Sequence, residues 1–131
     1  MPGALDGIKI LDITNYIAGP FATMLLADLG AEVYKIETPG AGDPFRTWDK
    51  EPKDYSPSFC GMNRNNKSMT LDVKSPEGKE VIFRLVKDAD GVVENLRPGV
   101  VVAGEGPRLD EIEEGGGAAG RRGRRGGHLR A

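Results

Sequence analysis

The stretch LDGIKILDITNYIAGPFATMLLADLGAEVYKIE, residues 5–37, decides the fold of this chain. Its segments IKILDI (8–13) and AEVYKIE (31–37) have the composition of buried strands. The segment PFATMLLADLG between them predicts a helix, with Pro20 at the first helical position and Gly30 as the residue that ends it. A strand, a helix and a second strand in this order predict a βαβ unit with parallel strands and a right-handed crossover.

The predicted helix is apolar on nearly every side. Because it has no polar face to turn toward water, we expect it to be buried on more than one side. Its apolar run ends at Asp28, well short of the roughly 20 residues that a membrane-spanning helix needs.

The N-terminus lacks the basic start and apolar run of a signal peptide, and the single cysteine, Cys60, fits a reducing compartment. The sequence therefore predicts a soluble, cytoplasmic protein.

The chain beyond this unit continues to alternate strands and helices. Residues 38–62 hold four prolines and three glycines without periodicity, which predicts a long loop. SMTLDV (68–73) is the third predicted strand and GVVEN (91–95) is the fourth. Between them, Ser75 is the N-cap of a second helix. The apolar stripe of that helix consists of Val81, Ile82, Leu85, Val86 and Ala89. Together these elements predict an α/β fold with a Rossmann-like open parallel sheet.

The chain of 131 residues divides into two parts that differ in composition. Residues 1–114 carry 13 Lys or Arg and 20 Asp or Glu, a net charge of −7, whereas residues 115–131 carry five Arg and no acid, a net charge of +5. Seven of those last 17 residues are Gly, so we expect a disordered tail. The predicted boundary separates an ordered portion, 1–102, from a tail, 103–131. Arg-Gly segments can contact RNA non-specifically, but five arginines in a short run are weak evidence. A nucleic-acid partner is therefore not expected, and a basic-tailed RNA-associated protein is the third alternative.

Ligands of open parallel sheets bind beyond the carboxyl ends of the strands, and two such ends stand out in the sequence. NYIAGP (15–20) follows the first strand, and ENLRPG (94–99) follows the fourth. Small residues and free N–H groups at the start of the first helix predict an anion-binding turn; the alternative is a tight connection that binds nothing. Glu37 ends the second strand, where an acid can bind a ribose hydroxyl, but the absence of G-x-G-x-x-G disfavours a dinucleotide.

Cations and metal-ligating residues offer fewer signals. Arg64, Lys67 and Lys74 flank the third strand, where they either meet phosphates or are solvated surface charges. The single histidine, His128, lies in the tail. Neither a Cys–His pair nor a His-rich metal site can therefore be assembled within the body, and no metal is predicted.

Three stretches together resemble the class III (family III) CoA-transferases, the group of formyl-CoA transferase and the carnitine and bile-acid CoA-transferases. They are residues 5–46, NRNNKSMTLDVKSPEGKEV (63–81) and ADGVVENLRPGV (89–100), which follow one another at the spacing of the family. The resemblance extends from residue 5 to about residue 102. It implies a Rossmann-like domain and an enzyme that moves CoA between an acyl-CoA and a free carboxylic acid, without a permanently bound cofactor. Related members racemise 2-methylacyl-CoA, and this branch remains an alternative.

The resemblance also implies which residues line the coenzyme A site. Ile17 and Ala18 would lie at the nucleotide. A second wall would consist of Leu71, Asp72, Val73 and Lys74, and a third of Asn95, Leu96 and Arg97. One position departs from the family, whose members commonly have an arginine after the residue equivalent to Glu37. This chain has Thr38 there, and the loss of a bidentate cation is expected to weaken CoA binding.

The same resemblance implies that the chain lacks its catalytic group. In the family, a downstream aspartate attacks the acyl-CoA to form a mixed anhydride and then a CoA thioester. Asp110 and His128 lie in unrelated sequence, so we assign no catalytic residue and expect the chain alone to be inactive. Our hypothesis is a truncated member, with a frameshift shortly after Val102 as the source of the Gly/Arg-rich tail.

Partner expectations follow from the same comparison. Members of the family form interlocked homodimers, an assembly that we do not expect a single-domain fragment to make. Its uncovered apolar faces would make folding marginal and promote aggregation. The alternative from another functional class is a non-enzymatic CoA- or nucleotide-binding module that works with a partner chain.

Overall fold

A computed structural model of the chain describes residues 2–49 and 56–96, and the backbone of residues 127–130. The elements in chain order are β1 (Lys9–Ile13), α1 (Ala18–Asp28), β2 (Glu32–Glu37), a 3-10 turn (Pro44–Thr47), α2 (Pro57–Met62), β3 (Lys67–Thr70), α3 (Pro76–Asp88), β4 (Gly91–Glu94) and β5 (Gly127–Arg130). The strands form one parallel sheet in the order β3-β2-β1-β4-β5. The predicted α/β fold with an open parallel sheet is confirmed.

The βαβ unit that opens the chain is formed as predicted. Strands β1 and β2 pair in parallel, with Lys9 opposite Glu32. Gly30 has a φ of +103°, and its N–H donates to the carbonyl of Ala27 at 3.0 Å. This left-handed residue, just beyond the last helical turn, is where glycine best ends a helix.

The start of α1 differs from the prediction. The helix begins at Ala18, so Pro20 is its third residue and not its first. The earlier start is tolerated because the first N–H groups of any helix lack an intrahelical acceptor, and a proline within the first turn therefore costs no hydrogen bond.

The core divides between the two faces of the sheet. Helix α1 covers one face, where the buried cluster comprises Ile10, Ala27, Ala31, Val33 and Val93. On the opposite face, next to α3, the buried cluster comprises Leu11, Ile36, Ile82 and Val92. Consecutive residues such as Ile10 and Leu11 belong to different clusters because successive side chains of a strand point to opposite faces of the sheet.

Helix α3 follows the sequence prediction closely. The Ser75 hydroxyl accepts the N–H of Gly78 at 2.9 Å, which confirms the predicted N-cap. Of the predicted apolar stripe, Ile82 is fully buried. Leu85, Val86 and Ala89 are half-buried against the same cluster.

Helix α1 is buried on one side only, so the prediction that it is buried on more than one side is wrong. Met24 and Ala27 are buried, and Ala27 belongs to the cluster against the sheet. On the other side, Phe21, Leu25 and Leu29 are 46%, 44% and 50% exposed. Their spacing of four residues places them in one stripe along the helix. No element of the described part of the chain covers this stripe, which we call the α1 apolar stripe.

Two further elements differ from the sequence prediction. Strand β3 ends at Thr70, before the predicted end at residue 73, because Leu71 and Val73 turn into the core beside α3. The predicted loop 38–62 contains the 3-10 turn and α2, and each buries one aromatic residue. These local structures are side-chain capped, which supplies the hydrogen bonds that a structureless loop would lack.

The predicted tail also contains an unpredicted element. Residues 127–130 form β5 and pair in parallel with β4, which contradicts disorder over these four residues. A strand at the edge of a sheet uses backbone N–H and C=O groups, so it does not require apolar composition. The rest of the tail, residues 103–126 and residue 131, lies outside the described residues. Within the described part of the chain, no helix combines the length and apolarity needed to cross a bilayer.

Candidate functional site

The candidate site lies at the edge of the sheet where the parallel strands have their carboxyl ends, which we call the C-terminal edge. Strands β1 and β4 are neighbours there, and the residues that follow them are joined by two hydrogen bonds. The backbone N–H of Asn15 donates to the Asn95 side-chain oxygen at 2.9 Å, and the Asn95 amide nitrogen donates to the Asn15 carbonyl at 2.8 Å. Two of the predicted binding segments are therefore brought into direct contact.

A buried carboxylate holds the residues between β1 and α1. Asp12 accepts the N–H of Thr14 at 2.8 Å and its hydroxyl at 2.5 Å through one oxygen. Its other oxygen accepts the Thr23 hydroxyl of α1 at 2.7 Å. Gly19 is required beside this cluster, since a Cβ there would lie 2.3 Å from the Cβ of Thr14. The turn and the first part of α1 are thus locked to the end of β1.

A buried ion pair holds the same turn from the side of β2. The Lys35 ammonium donates to the carbonyl of Thr14 at 2.8 Å and lies 3.0 Å from Asp43 Oδ2. Asp43 Oδ1 accepts the N–H groups of Tyr16 at 3.1 Å and Phe45 at 2.9 Å. Lys35 and Asp43 are 1% and 0% exposed, so a charge of either sign would be costly here without its partner.

A further buried carboxylate, Glu37, lies at the end of β2. Burial by itself would raise the pKa of Glu37, but hydrogen bonds from Arg46, Ser68 and the N–H of Asp43 outweigh it and lower the pKa to about 2. The Arg46 contact is bidentate, at 2.6 Å to each oxygen, and its guanidinium lies 3.8 Å from the ring centre of Phe59. With both oxygens occupied, Glu37 is not available to a ribose hydroxyl, which removes the one feature that favoured a dinucleotide.

The residues at the tip of the turn are exposed. Tyr16 adopts a φ of +66°, which is uncommon for a non-glycine residue. Ile17 is 48% exposed and precedes α1 without a side-chain cap, and Ala18 is exposed as well. The first N–H groups of a helix that has no side-chain cap remain open to an external acceptor. Buried residues therefore fix the backbone of the turn on one side, and the tip of the turn is exposed to solvent on the other.

The second predicted wall lies on the far side of β2. The N–H of Leu71 donates to the Glu37 carbonyl at 2.9 Å, which continues the pairing of β3 with β2. The side chains of Leu71 and Val73 are partly buried and pack against the core cluster beside α3. Asp72 and Lys74 are exposed, and the Lys74 ammonium forms no ion pair with a described residue.

The remaining predicted residues are placed less uniformly. Leu96 is half-buried, and its N–H donates to the Glu94 carboxylate at 2.8 Å. Arg97 lies outside the described residues. Arg64 and Lys67 are paired with Asp28 and Glu32. Because Lys67 begins β3, this pairing lies at the opposite edge of the sheet from the candidate site.

Comparison with known proteins identifies the family. Residues 5–105 match the model of CoA-transferase family III. The chain belongs to CoA-transferase family III. It is 47% identical over 111 residues to human succinyl-CoA:glutarate CoA-transferase, covering 84% of this chain and 25% of the human protein. It is 48% identical over 102 residues to a formyl-CoA:oxalate CoA-transferase of Rhodopseudomonas palustris, covering 77% of this chain and 24% of that protein.

Solved structures agree with this family assignment. A CAIB/BAIF family protein from Brucella suis superposes with a TM-score of 0.77 at 34% identity, covering 87% of this chain and 31% of the other. A hypothetical protein from Mycobacterium tuberculosis, Rv3272, superposes with a TM-score of 0.73 at 38% identity, covering 86% of this chain and 30% of that one. This family III chain spans about a quarter of the length of the curated relatives it matches.

The buried polar residues beneath the turn were not singled out from the sequence of this family III member. Asp12, Lys35 and Asp43 are each 1% exposed or less. One signal was available for Lys35. It lies two residues from both Val33 and Glu37 along β2, so its side chain faces the same buried side of the sheet as Val33. Asp43 offered no such signal, since its role depends on how the chain folds back after β2.

Proposed function

We propose that this chain binds the coenzyme A portion of an acyl-CoA at the C-terminal edge of the sheet. The observation that carries the proposal is that the segments after β1, β3 and β4 meet at one edge in a member of CoA-transferase family III. Ile17 and Ala18 contact the nucleotide, with Asn95 and Leu96 beside them. Residues 71–74 lie two strands away, about 10 Å at ordinary strand spacing, which suits a ligand longer than a single nucleotide.

The chemistry of the edge suits a polyanionic ligand with an apolar portion. Lys74 supplies an exposed ammonium, and the uncapped start of α1 supplies backbone donors. Ile17 supplies exposed apolar surface next to those donors. Thr38 is exposed at the end of β2 and adds no charge, so phosphate recognition depends on Lys74 and on Arg97, which we retain as a proposed contact.

We further propose that the group that forms bonds with the acyl carbon is not among the described residues. The buried carboxylates at the C-terminal edge are already hydrogen-bonded: Asp12 to two threonines, Glu37 to Arg46 and Ser68, Asp43 to two backbone N–H groups, and Glu94 to the N–H of Leu96. A nucleophile has to reach its substrate with a free lone pair. These four carboxylates hold the structure together, and CoA transfer by this chain needs a carboxylate from elsewhere.

Isothermal titration of the full chain with CoA tests the binding proposal. We expect saturable binding, weakened about threefold by Lys74→Gln, because one exposed charge contact is lost. Lys67→Gln is the matched control, since Lys67 lies at the opposite edge of the sheet and should leave the affinity unchanged. Absence of binding to folded protein, or equal weakening by both substitutions, would contradict the proposal.

An activity assay tests the second part of the proposal. The purified chain is incubated with succinyl-CoA and glutarate, and with formyl-CoA and oxalate, the substrate pairs in the names of its relatives. We expect no CoA transfer in either mixture. Turnover that grows in proportion to the concentration of the chain would show that the chain supplies its own nucleophile.

A further inference from the structure

The buried pair of Lys35 and Asp43 is positioned to control the turn that carries the proposed CoA contacts. Lys35 holds the Thr14 carbonyl at 2.8 Å, and Asp43 holds the Tyr16 N–H at 3.1 Å. The two side chains are joined at 3.0 Å. The pair therefore fixes the peptide groups on both sides of Asn15, directly before Ile17.

The backbone at this point needs such support. Tyr16 has a φ of +66°, a conformation that non-glycine residues adopt only where the surroundings enforce it. The Tyr16 ring is 49% exposed, so packing of its side chain does not supply the restraint. The hydrogen bond from its N–H to buried Asp43 does, because it acts on the strained backbone itself.

A stabilising role alone would not require charges at these positions. Buried ion pairs contribute little net stability compared with apolar residues of the same volume. Their geometry, however, is specific, since an ammonium and a carboxylate must satisfy fixed donors and acceptors. Here those partners include two backbone groups of the exposed turn, which an apolar pair could not hold.

We propose that Lys35 and Asp43 are positioning residues for CoA recognition, which hold the turn at residues 14–16 in the conformation that presents Ile17 and Ala18 to the ligand. This inference rests on the proposed function. A turn that is released from the pair samples other conformations, and affinity falls by the fraction of time spent in the competent one. The pair itself does not contact the coenzyme.

The double variant Lys35→Met/Asp43→Asn tests this role without leaving an unpaired buried charge. The amide at position 43 has the shape of the carboxylate and keeps an oxygen that can accept the N–H groups of Tyr16 and Phe45. The methionine at position 35 cannot donate a hydrogen bond to the Thr14 carbonyl. We expect the variant to fold, with CoA affinity about tenfold lower and with shifted amide resonances at residues 15–18. The matched control is Glu32→Gln/Lys67→Met, which removes a more exposed pair between β2 and β3 at the opposite edge of the sheet.

The outcomes separate this inference from the proposed function. A folded double variant with wild-type affinity and unchanged amide resonances overturns the positioning role and leaves CoA binding intact. A wild-type chain that does not bind CoA removes the proposed function, while the amide resonances still report on whether the pair holds the turn. If the variant does not fold, amide exchange of the wild-type chain decides: the Tyr16 N–H should exchange as slowly as amides of β1, and rapid exchange overturns the inference.

Discussion

Helices α1 and α3 flank the same sheet but are built for different surroundings. Helix α3 has a Ser75 cap, an acid in its first turn, Lys87 in its last turn and charged residues toward water. Helix α1 has no side-chain cap, no charge that favours its dipole at either end, and an apolar stripe that is about half exposed. Among the described residues, α3 is capped and packs its apolar stripe, whereas α1 has an uncapped N-terminus and an apolar stripe that no described element covers.

The comparison predicts that apolar truncation is costly in α3 and cheap in the α1 apolar stripe. Ile82 is 0% exposed, and Ile82→Ala should lower the free energy of unfolding by about 3 kcal/mol. Leu25→Ala should lower it by less than about 1 kcal/mol, because Leu25 is already half in water. Urea denaturation followed by circular dichroism measures both. Equal losses would mean that α1 is covered in solution.

The two helices also differ at the glycine in the first turn of each. A Cβ at Gly78 would lie 1.7 Å from the carbonyl oxygen of Asp72, which is backbone and cannot rotate away. Gly78→Ala should therefore destabilise the chain by about 2 kcal/mol. At Gly19 the clash is with the Cβ of Thr14 at 2.3 Å, in a buried side chain that Asp12 holds, so Gly19→Ala should cause a loss of similar size. Gly61→Ala is the control, since nothing lies within 4 Å of its added Cβ, and thermal denaturation of all three variants ranks them.

Acid should lower the free energy of unfolding through the buried carboxylate at the end of β2. The folded-state pKa of Glu37 is about 2, below its ordinary value of 4.5. Its stabilisation is therefore complete above about pH 4.5 and is lost as the pH falls toward 2, up to about 3 kcal/mol. Glu37→Gln should flatten this part of the stability–pH curve. A Glu37→Gln variant that keeps the slope of the wild-type curve below pH 4.5 would place the acid-sensitive group elsewhere.

The sequence predicted α3 better than α1 because the two helices depend on different information. Ser75, Pro76 and the stripe around Ile82 are local signals, and each produced the predicted structure. The apolar composition of α1 correctly predicted a helix but not its exposure, because exposure depends on which neighbouring elements are present. The strand β5 was missed for a related reason, since edge pairing depends on an available backbone and not on side-chain pattern.

The candidate site shows the same division. The turn after β1 and the segment after β4 were located from the sequence because parallel strands place their carboxyl ends together. The contacts of Asp43 with Lys35 and Tyr16 depend on a loop that folds back by a route without a sequence signature. The wall of residues 71–74 stays a prediction of the resemblance, and the sequence did not show that the side chains of Leu71 and Val73 pack against the core.

The smallest expected effect concerns association through the α1 apolar stripe. Leu25→Gln should change the free energy of unfolding by less than about 0.5 kcal/mol but reduce self-association, because it removes exposed apolar surface. Sedimentation velocity at increasing protein concentration measures this, with Arg84→Gln on α3 as the control. Unchanged self-association of the Leu25 variant would contradict the account of α1 as an open flank.

The central claim is that coenzyme A binds where the strands have their carboxyl ends. Titration of the isotope-labelled chain with CoA, followed by amide resonances, tests it most directly. The account predicts saturable shifts at Ile17, Ala18, Lys74 and Asn95, with none at Glu32 or Lys67 on the opposite edge. Shifts confined to the opposite edge, or a folded chain whose spectrum CoA does not change, would contradict it.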